Sequence, residues 1–213
     1  MSDGQPLYNV YKINITVTNE PPFFLKRLSD QIVHLNCTAQ YKLPDKVDQE
    51  YHNIKLKYTS KPANDFITYD EIRNEFTFSP TLPTELRKYN ITVTLSDGYV
   101  IRYYFFYVSV INDPPYFETE RLKNQRIALG SLVDYSLPEI FDTERQSYEI
   151  KYFYQRSSTL PSFIKTNGTV VTFIPLKESH LGHYKIEVTL RDEFSHPRVY
   201  SFEVEVYKPK PII

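Results

Sequence analysis

The chain has 213 residues, with 25 Lys and Arg, 26 Asp and Glu, and a net charge of −1 at pH 7. This length predicts two domains, each large enough to bury its own core. The scattered and balanced charge excludes a basic surface for nucleic acid. No apolar run approaches the roughly 18 residues of a membrane span, so this segment is expected to contain none.

The sequence repeats itself at a spacing of about 94 residues. The segment VTNEPPFF, which begins at Val17, returns as VINDPPYF at Val110, a shift of 93. The long segment that begins at Phe76 returns at Val171, a shift of 95. So many matches near one period predict tandem modules. The two complete modules are expected at residues 20–113 and 114–207.

The two ends of the chain fall outside these modules. Ile13, Ile15 and Val17 align with the apolar positions of the last strand of the first module. We therefore expect residues 1–18 to be the last strand of a preceding repeat, and residues 208–213 to be a linker toward a next repeat. On this interpretation the chain is a segment of a longer array.

The apolar pattern has a period of two almost everywhere, which is typical of half-buried strands. Tyr89, Ile91, Val93 and Leu95, for example, alternate with polar residues. The pattern predicts an all-β fold of tandem Greek-key β-sandwiches with about seven strands each. In chain order the longer strands are expected at residues 32–41, 54–60, 66–69, 75–79, 89–95 and 100–110, and then at 126–135, 147–154, 163–165, 169–174, 183–190 and 199–206.

Two features of the first module stand apart from this pattern. The single cysteine, Cys37, cannot form an internal disulfide, and its inward register beside Leu35 and Ala39 predicts a small core residue. The aromatic run at residues 103–107 breaks the alternation. Its outer face either packs under a linker or meets a neighbouring repeat or partner.

Four Asn-X-Thr sequons are candidate glycosylation sites. Asn14, Asn36 and Asn90 fall on the outward register of predicted strands, and Asn167 is expected in a turn beside Gly168. Each could therefore carry a glycan without burying it. The alternative is that Thr is simply common on strand surfaces.

Four short segments carry a family resemblance: SDG at Ser96, NDPPYF at Asn112, DTE at Asp142 and YEIKYF at Tyr148. Together they resemble the cadherin-like repeat, especially its divergent dystroglycan-type form, over residues 20–207. The resemblance implies immunoglobulin-like sandwiches, an extracellular or cell-surface location in a larger, membrane-anchored protein, and cell adhesion. Its partners would be neighbouring repeats and another protein or a second copy of the chain.

The resemblance also implies calcium bound between successive modules. Calcium takes six to eight oxygen ligands, which acidic and amide side chains supply. This sequence departs from the family pattern at two places. The Asp-Arg-Glu expected near Ser79 and the glutamate expected at the start of each module are both missing. Because these losses remove calcium ligands, we expect at most one ion per junction. The alternative is acidic turn residues that are exposed to solvent. The implied ligands are Asn112, Asp113, Asp142, Glu144 and Asp192 at the second junction, and Asn19, Glu20, Asp48, Glu50 and Asp97 at the first.

No catalytic pattern emerges from the sequence. His180 and His183 lack the further ligands of a zinc site. The SxxK string at Ser162 falls on a predicted strand, whereas acyl-serine enzymes place it at the start of a helix. We therefore expect a non-enzymatic spacer and adhesive module. The alternative is a structural scaffold subunit of a large assembly, without calcium or glycans, in which the aromatic strand contacts another chain.

Overall fold

A computed structural model describes residues 11–210 of the chain. The first module has nine strands: β1 (Phe23–Phe24), β2 (Gln31–His34), β3 (Ala39–Lys42), β4 (Lys46–Val47), β5 (Lys55–Lys61), β6 (Ile67–Asp70), β7 (Glu75–Phe78), β8 (Lys88–Ser96) and β9 (Ile101–Ile111). The second module repeats them as β10 (Tyr116–Phe117), β11 (Gln125–Ala128), β12 (Val133–Ser136), β13 (Ile140–Phe141), β14 (Glu149–Tyr154), β15 (Ile164–Asn167), β16 (Val170–Phe173), β17 (Gly182–Arg191) and β18 (Arg198–Tyr207).

Each module is a sandwich of a four-stranded and a three-stranded sheet. In the first module the orders are β2-β9-β8-β5 and β3-β7-β6, and β1 and β4 form a separate pair. The second module has β11-β18-β17-β14 and β12-β16-β15, with the pair β10-β13. Two short 3-10 helices, Pro83–Glu85 and Glu178–His180, are the only helices within residues 11–210. The predicted all-β sandwich of about seven main strands is confirmed.

Parallel pairing joins β2 to the last strand of its own module. Its four residues lie opposite Val108–Ile111 of β9, whereas β8 and β9 are antiparallel. β2 therefore ends where β9 ends, and His34 lies opposite Ile111. Because Ile111 precedes the linker, this pairing places His34 beside the second module.

Each module has its own apolar core. Phe76, Phe78 and Phe106 are almost fully buried in the first core, and Phe173 and Phe202 are equally buried in the second. Burying one such side chain contributes roughly 1.5–3 kcal/mol. The alternation in β8, where every second residue from Tyr89 to Leu95 is buried, matches the predicted half-buried strand.

The predicted strand at residues 32–41 is wrong as a single element. The chain forms β2, turns at Asn36, which has a φ of 59°, and enters β3 in the opposite sheet. The predicted strand at 126–135 is divided in the same way, by a turn at Gly130 with a φ of 85°. The period-two pattern runs through both turns, so it could not reveal the change of sheet.

The segment before the first module has no strand partner among the described residues. Tyr11, Ile13, Ile15 and Val17 are between 81% and 91% exposed. The rest of the predicted strand, residues 1–10, and residues 211–213 lie outside the described range, so both assignments remain predictions. Within residues 11–210, no helix is long and apolar enough to cross a membrane.

Candidate functional site: the linker junctions

Each junction is built from a linker and two turns of the module that follows it. The second junction comprises the linker 112–115, the turn 142–146 and the turn 192–195. The first junction comprises the corresponding residues 19–22, 48–52 and 97–100. The sequence repeat therefore corresponds to the same arrangement of linker and turns at both junctions.

The first turn of each junction is organised by its aspartate. Asp142 Oδ1 accepts the backbone N–H of Gln146 at 2.8 Å, and Asp48 Oδ1 accepts that of His52 at 2.9 Å. The residue after each glutamate, Tyr51 or Arg145, has a positive φ of 63° or 56°. Non-glycine residues rarely adopt this conformation. Its recurrence at equivalent positions indicates that the surrounding bonds hold the turn in place.

The second turn of each junction binds the linker asparagine. Asn112 Nδ2 donates to Asp192 Oδ2 at 3.0 Å, and Asn19 Nδ2 donates to Asp97 Oδ2 at 2.6 Å. The backbone N–H of Val100, followed by the Asn19 amide, lowers the pKa of Asp97 to about 2. These aspartates also accept backbone N–H groups of their own turns. Their oxygens therefore already have partners without a cation.

The glutamate of each junction accepts the next linker amide. Glu144 Oε1 accepts the N–H of Asp113 at 3.1 Å, and Glu50 Oε1 accepts that of Glu20 at 3.2 Å. At the second junction Gln146 Nε2 adds a bond to Asn112 Oδ1 at 2.7 Å. The linker is thereby fixed to the following module through both side chains and backbone.

Three residues of the first module reach across to the second. His34 Nδ1 lies 2.7 Å from Glu144 Oε1 and 3.7 Å from Asp113 Oδ2. Asn36 Nδ2 and the thiol of Cys37 each come within 3.5 Å of a backbone carbonyl in the turn 142–146. Sequence reasoning missed this contribution, because it depends on the parallel pairing of β2 with β9.

The predicted core position of Cys37 is wrong. Cys37 is only partly buried, and its thiol donates to the carbonyl of Thr143 in the second module. Burial, followed by the nearby charge of Glu144, raises the pKa of this thiol. The inward register fails here because Cys37 follows the turn at Asn36 and is outside any strand.

The ten predicted ligands differ in their burial and in their hydrogen bonds. Asp48, Asp97, Glu144 and Asp192 are buried, so simple solvent exposure does not describe them. Four carboxylate oxygens have no hydrogen-bond partner within the described residues, which is costly for buried polar atoms. They belong to Asp48, Glu50, Asp142 and Glu144. Another four predicted ligands orient the linker through hydrogen bonds between their side chains: Asn19 with Asp97, and Asn112 with Asp192. The last two differ in exposure, since Glu20 is exposed and Asp113 is partly exposed.

The four sequons occupy different settings. Asn167 is exposed, but it is the last residue of β15 and the turn begins only at Gly168, so its predicted place within the turn is wrong. Asn90 is half-buried in β8. The expectation that Asn36 lies on a strand is wrong, because Asn36 is in the turn after β2. Asn14 has no strand partner among the described residues, and its place on the last strand of a preceding repeat remains a prediction. The Asn36 amide also faces the carbonyl of Glu144.

The outer face of β9 carries an exposed aromatic row. Tyr103, Phe105 and Tyr107 are 60%, 59% and 41% exposed, so a linker does not cover this face in the described structure. The equivalent residues of β18 are Val199, Ser201 and Glu203. β2 pairs only with the second half of β9, which leaves β8 as the sole described strand partner of the first half.

One serine and one histidine approach each other without forming a catalytic group. Ser162 Oγ lies 3.4 Å from His180 Nε2. The other ring nitrogen, Nδ1, faces the backbone N–H of Lys177 and no carboxylate within the described residues. The orienting carboxylate that a nucleophilic triad needs is therefore missing here.

Comparisons with known proteins find structural neighbours only. No protein-family model and no curated protein sequence matches the chain. The titin domains Z1Z2 in complex with telethonin are 14% identical, with a TM-score of 0.48, over 91% of this chain and 100% of that one. Extracellular domains 3–5 of Drosophila OTK are 9% identical, with a TM-score of 0.43, over 89% of this chain and 63% of that one. The insect immune protein hemolin is 13% identical, with a TM-score of 0.41, over 92% of this chain and 49% of that one.

One neighbour is an enzyme, the endo-fucoidan hydrolase MfFcnA4, at 14% identity and a TM-score of 0.38. The chain spans 29% of that enzyme and 63% of the OTK fragment. At these identities the likeness concerns the arrangement of β-strands and carries no function.

Proposed function

We propose that this chain is part of an extracellular array of cadherin-like repeats, in which each β-sandwich acts as a spacer and adhesive module. It has no enzymatic role. The observation that carries the proposal is the repeated attachment of the linker, in which Asn19 and Asn112 bind the turn aspartates Asp97 and Asp192. Such attachment restricts the angle between modules, and a spacer requires that restriction.

The prolines of the linker support the same role. Each junction contains a Pro-Pro pair in which the second proline, Pro22 or Pro115, is buried. Proline fixes its own φ and restricts the residue before it, so the linker samples few conformations. Small-angle X-ray scattering tests this stiffness. Asn112→Ala should broaden the distribution of maximum dimensions relative to wild type, while Asn124→Ala, far from the junction, should not.

Calcium at the junctions belongs to this proposal. The carboxylate oxygens of Asp142 and Glu144 that lack partners, with the nearby carboxylate of Asp113, supply the oxygen ligands that calcium prefers. A bound ion would also offset the repulsion between these carboxylates. Asn112 and Asp192 would then hold the linker in place, and Asp113, Asp142 and Glu144 would bind the ion.

A calcium titration followed by thermal unfolding tests the ion. At a hundredfold excess over the dissociation constant, calcium should stabilise the folded state by about 2.7 kcal/mol. Asp142→Ala should abolish this response. It should also lower the calcium-free stability by about 1 kcal/mol, because the backbone N–H of Gln146 loses its acceptor. No response up to about 10 mM, above the usual range for extracellular modules, would remove calcium from the proposal and leave the spacer role.

The exposed aromatic row favours a second candidate, a scaffold subunit that contacts another chain through β9. Aromatic side chains are enriched in protein interfaces. The quasi-equivalent residues provide a matched test, in which Tyr103→Val, Phe105→Ser and Tyr107→Glu give β9 the face of β18. This triple variant should fold normally and lose association with the partner assembly. Glycan mapping by mass spectrometry separates the two candidates, since occupied sequons support only the extracellular array.

A further inference from the structure

The side chain of Glu144 is in an unusual electrostatic position. It is fully buried, yet within residues 11–210 its only salt-bridge partner is His34. One carboxylate oxygen, Oε1, contacts both His34 and the amide of Asp113, while Oε2 has no partner. Because a buried carboxylate is costly without a compensating charge, this arrangement favours a bound cation.

The identity of the cation follows from the histidine. His34 Nδ1 and carboxylate oxygens of Asp113 and Glu144 lie within 4.8 Å of one another. Calcium prefers oxygen ligands, whereas imidazole nitrogen suits zinc and similar transition metals. A mixed set of one nitrogen and two carboxylates is therefore less suited to calcium than to zinc.

The distances between the ligand atoms are close to those around a small tetrahedral ion. Bonds of about 2.0–2.2 Å in a tetrahedral zinc site place neighbouring ligand atoms about 3.3–3.6 Å apart. His34 Nδ1 lies 2.7 Å from Glu144 Oε1 and 3.7 Å from Asp113 Oδ2, values on either side of that spacing. Small side-chain rotations would bring the three atoms to it. His34 Nδ1 is free to bind when the ring hydrogen is on Nε2.

We infer that His34, Asp113 and Glu144 form a zinc-type transition-metal site that bridges the two modules. The inference rests on the proposed role of the junction as a cation site and names a different ion for it. Its three ligands come from the end of β2, from the linker and from the turn 142–146. A bound ion would join the modules directly, and the fourth position would remain open for water.

Among the described residues, a cluster with ligands from both modules occurs at the second junction only. The residue equivalent to His34 in the second module is Ala128, so the far end of that module offers no such nitrogen. At the first junction Asp48, Glu50 and His52 form another cluster, but all three belong to one module. Zinc bound there would not bridge modules, so this cluster serves as an internal comparison.

Titration of zinc chloride, followed by calorimetry on the whole chain, tests the inference. We expect His34→Gln, which retains a hydrogen-bonding side chain, to weaken zinc binding at the second junction by at least about tenfold. It should not weaken calcium binding. His183→Gln should behave as wild type. His52→Gln should leave the second-junction site intact, and cobalt substituted there should give a tetrahedral visible spectrum that His34→Gln removes.

The outcomes distinguish this inference from the calcium proposal. Zinc binding that depends on His34, without a calcium response, supports the inference and removes calcium from the proposed function. Zinc binding that is equal in wild type and His34→Gln overturns the inference whatever calcium does. The absence of zinc binding at zinc concentrations up to about 1 mM, far above the dissociation constants of structural zinc sites, overturns the inference as well.

Discussion

The backbone amide of Phe117 donates a hydrogen bond to the hydroxyl of Tyr200 at 3.2 Å, and the two rings pack edge to face with centroids 4.8 Å apart. The first module repeats the arrangement with Phe24 and Tyr104, at 3.3 Å and 4.8 Å. Each phenylalanine is the second residue after the linker, and each tyrosine lies in the last strand of the same module. This pair therefore fixes where the chain enters a module relative to the strand that leaves it.

Tyr200→Phe should reduce the free energy of unfolding by about 1 kcal/mol, because the amide of Phe117 loses its acceptor. Equilibrium unfolding in urea measures this change. Tyr104→Phe should have a similar effect in the first module. Tyr103→Phe, at an exposed ring, is the control. Equal stability of Tyr200→Phe and the control would show that the hydrogen bond contributes nothing.

Asp97 should make the first module sensitive to acid. Its folded pKa of about 2 is below the ordinary value of 3.8, so its stabilisation is fully present above 3.8 and is lost as the pH falls through about 2. Nuclear magnetic resonance titration of the carboxyl measures the folded pKa. Asn19→Ala should raise it by removing one donor, whereas Asn112→Ala should leave it unchanged. A pKa that does not respond to Asn19→Ala would contradict this account.

The separate cores predict local effects of core mutations. Phe78→Ala and Phe173→Ala each remove a fully buried ring at equivalent positions, and each should destabilise its own module by roughly 3–5 kcal/mol. Hydrogen exchange measured by mass spectrometry should show lost protection in one module only. Phe105→Ala, at an exposed ring, should change neither. Equal loss in both modules would mean that they unfold as one unit.

A glycan at Asn36 should loosen the second junction. Its sugar would occupy the boundary between the modules and displace the amide from the carbonyl of Glu144. In small-angle X-ray scattering, wild-type protein from a glycosylating host should therefore show a broader distribution of maximum dimensions than Thr38→Ala from the same host, which lacks this sequon. Thr169→Ala removes the sequon of Asn167, remote from the junction, and should change nothing. Identical profiles with Asn36 fully occupied would refute the prediction.

The sequence predicts the modules and much of each junction, because both depend on local patterns that recur. The pair Asp142 and Glu144 recurs in the first module as Asp48 and Glu50, which indicates an equivalent turn. The alternation in β8 indicates a half-buried strand. The sheet change at Asn36 is not predictable from alternation, which continues through Leu35 and Cys37 as if the strand were unbroken. Only the positive φ of Asn36, equivalent to Gly130, distinguishes the turn.

The contribution of His34 could not be predicted for a different reason. It reaches Glu144 across 110 residues through the parallel pairing of β2 with β9, a long-range relationship that leaves no local pattern. The sequence did contain one indirect signal. Ala128 stands at the equivalent position, so the histidine departs from the repeat at the strand end nearest the linker.

The parallel pairing of β2 with β9 also has a mechanical consequence. β2 lies near the entry of the first module and β9 at its exit, so tension applied through the two linkers pulls these neighbouring strands in opposite directions along their length. The hydrogen bonds between Gln31–His34 and Val108–Ile111 are then loaded together in shear. They are not unzipped one after another. β11 and β18 repeat this geometry in the second module. In both modules, therefore, all the hydrogen bonds of the parallel strand pair would resist an extending force together.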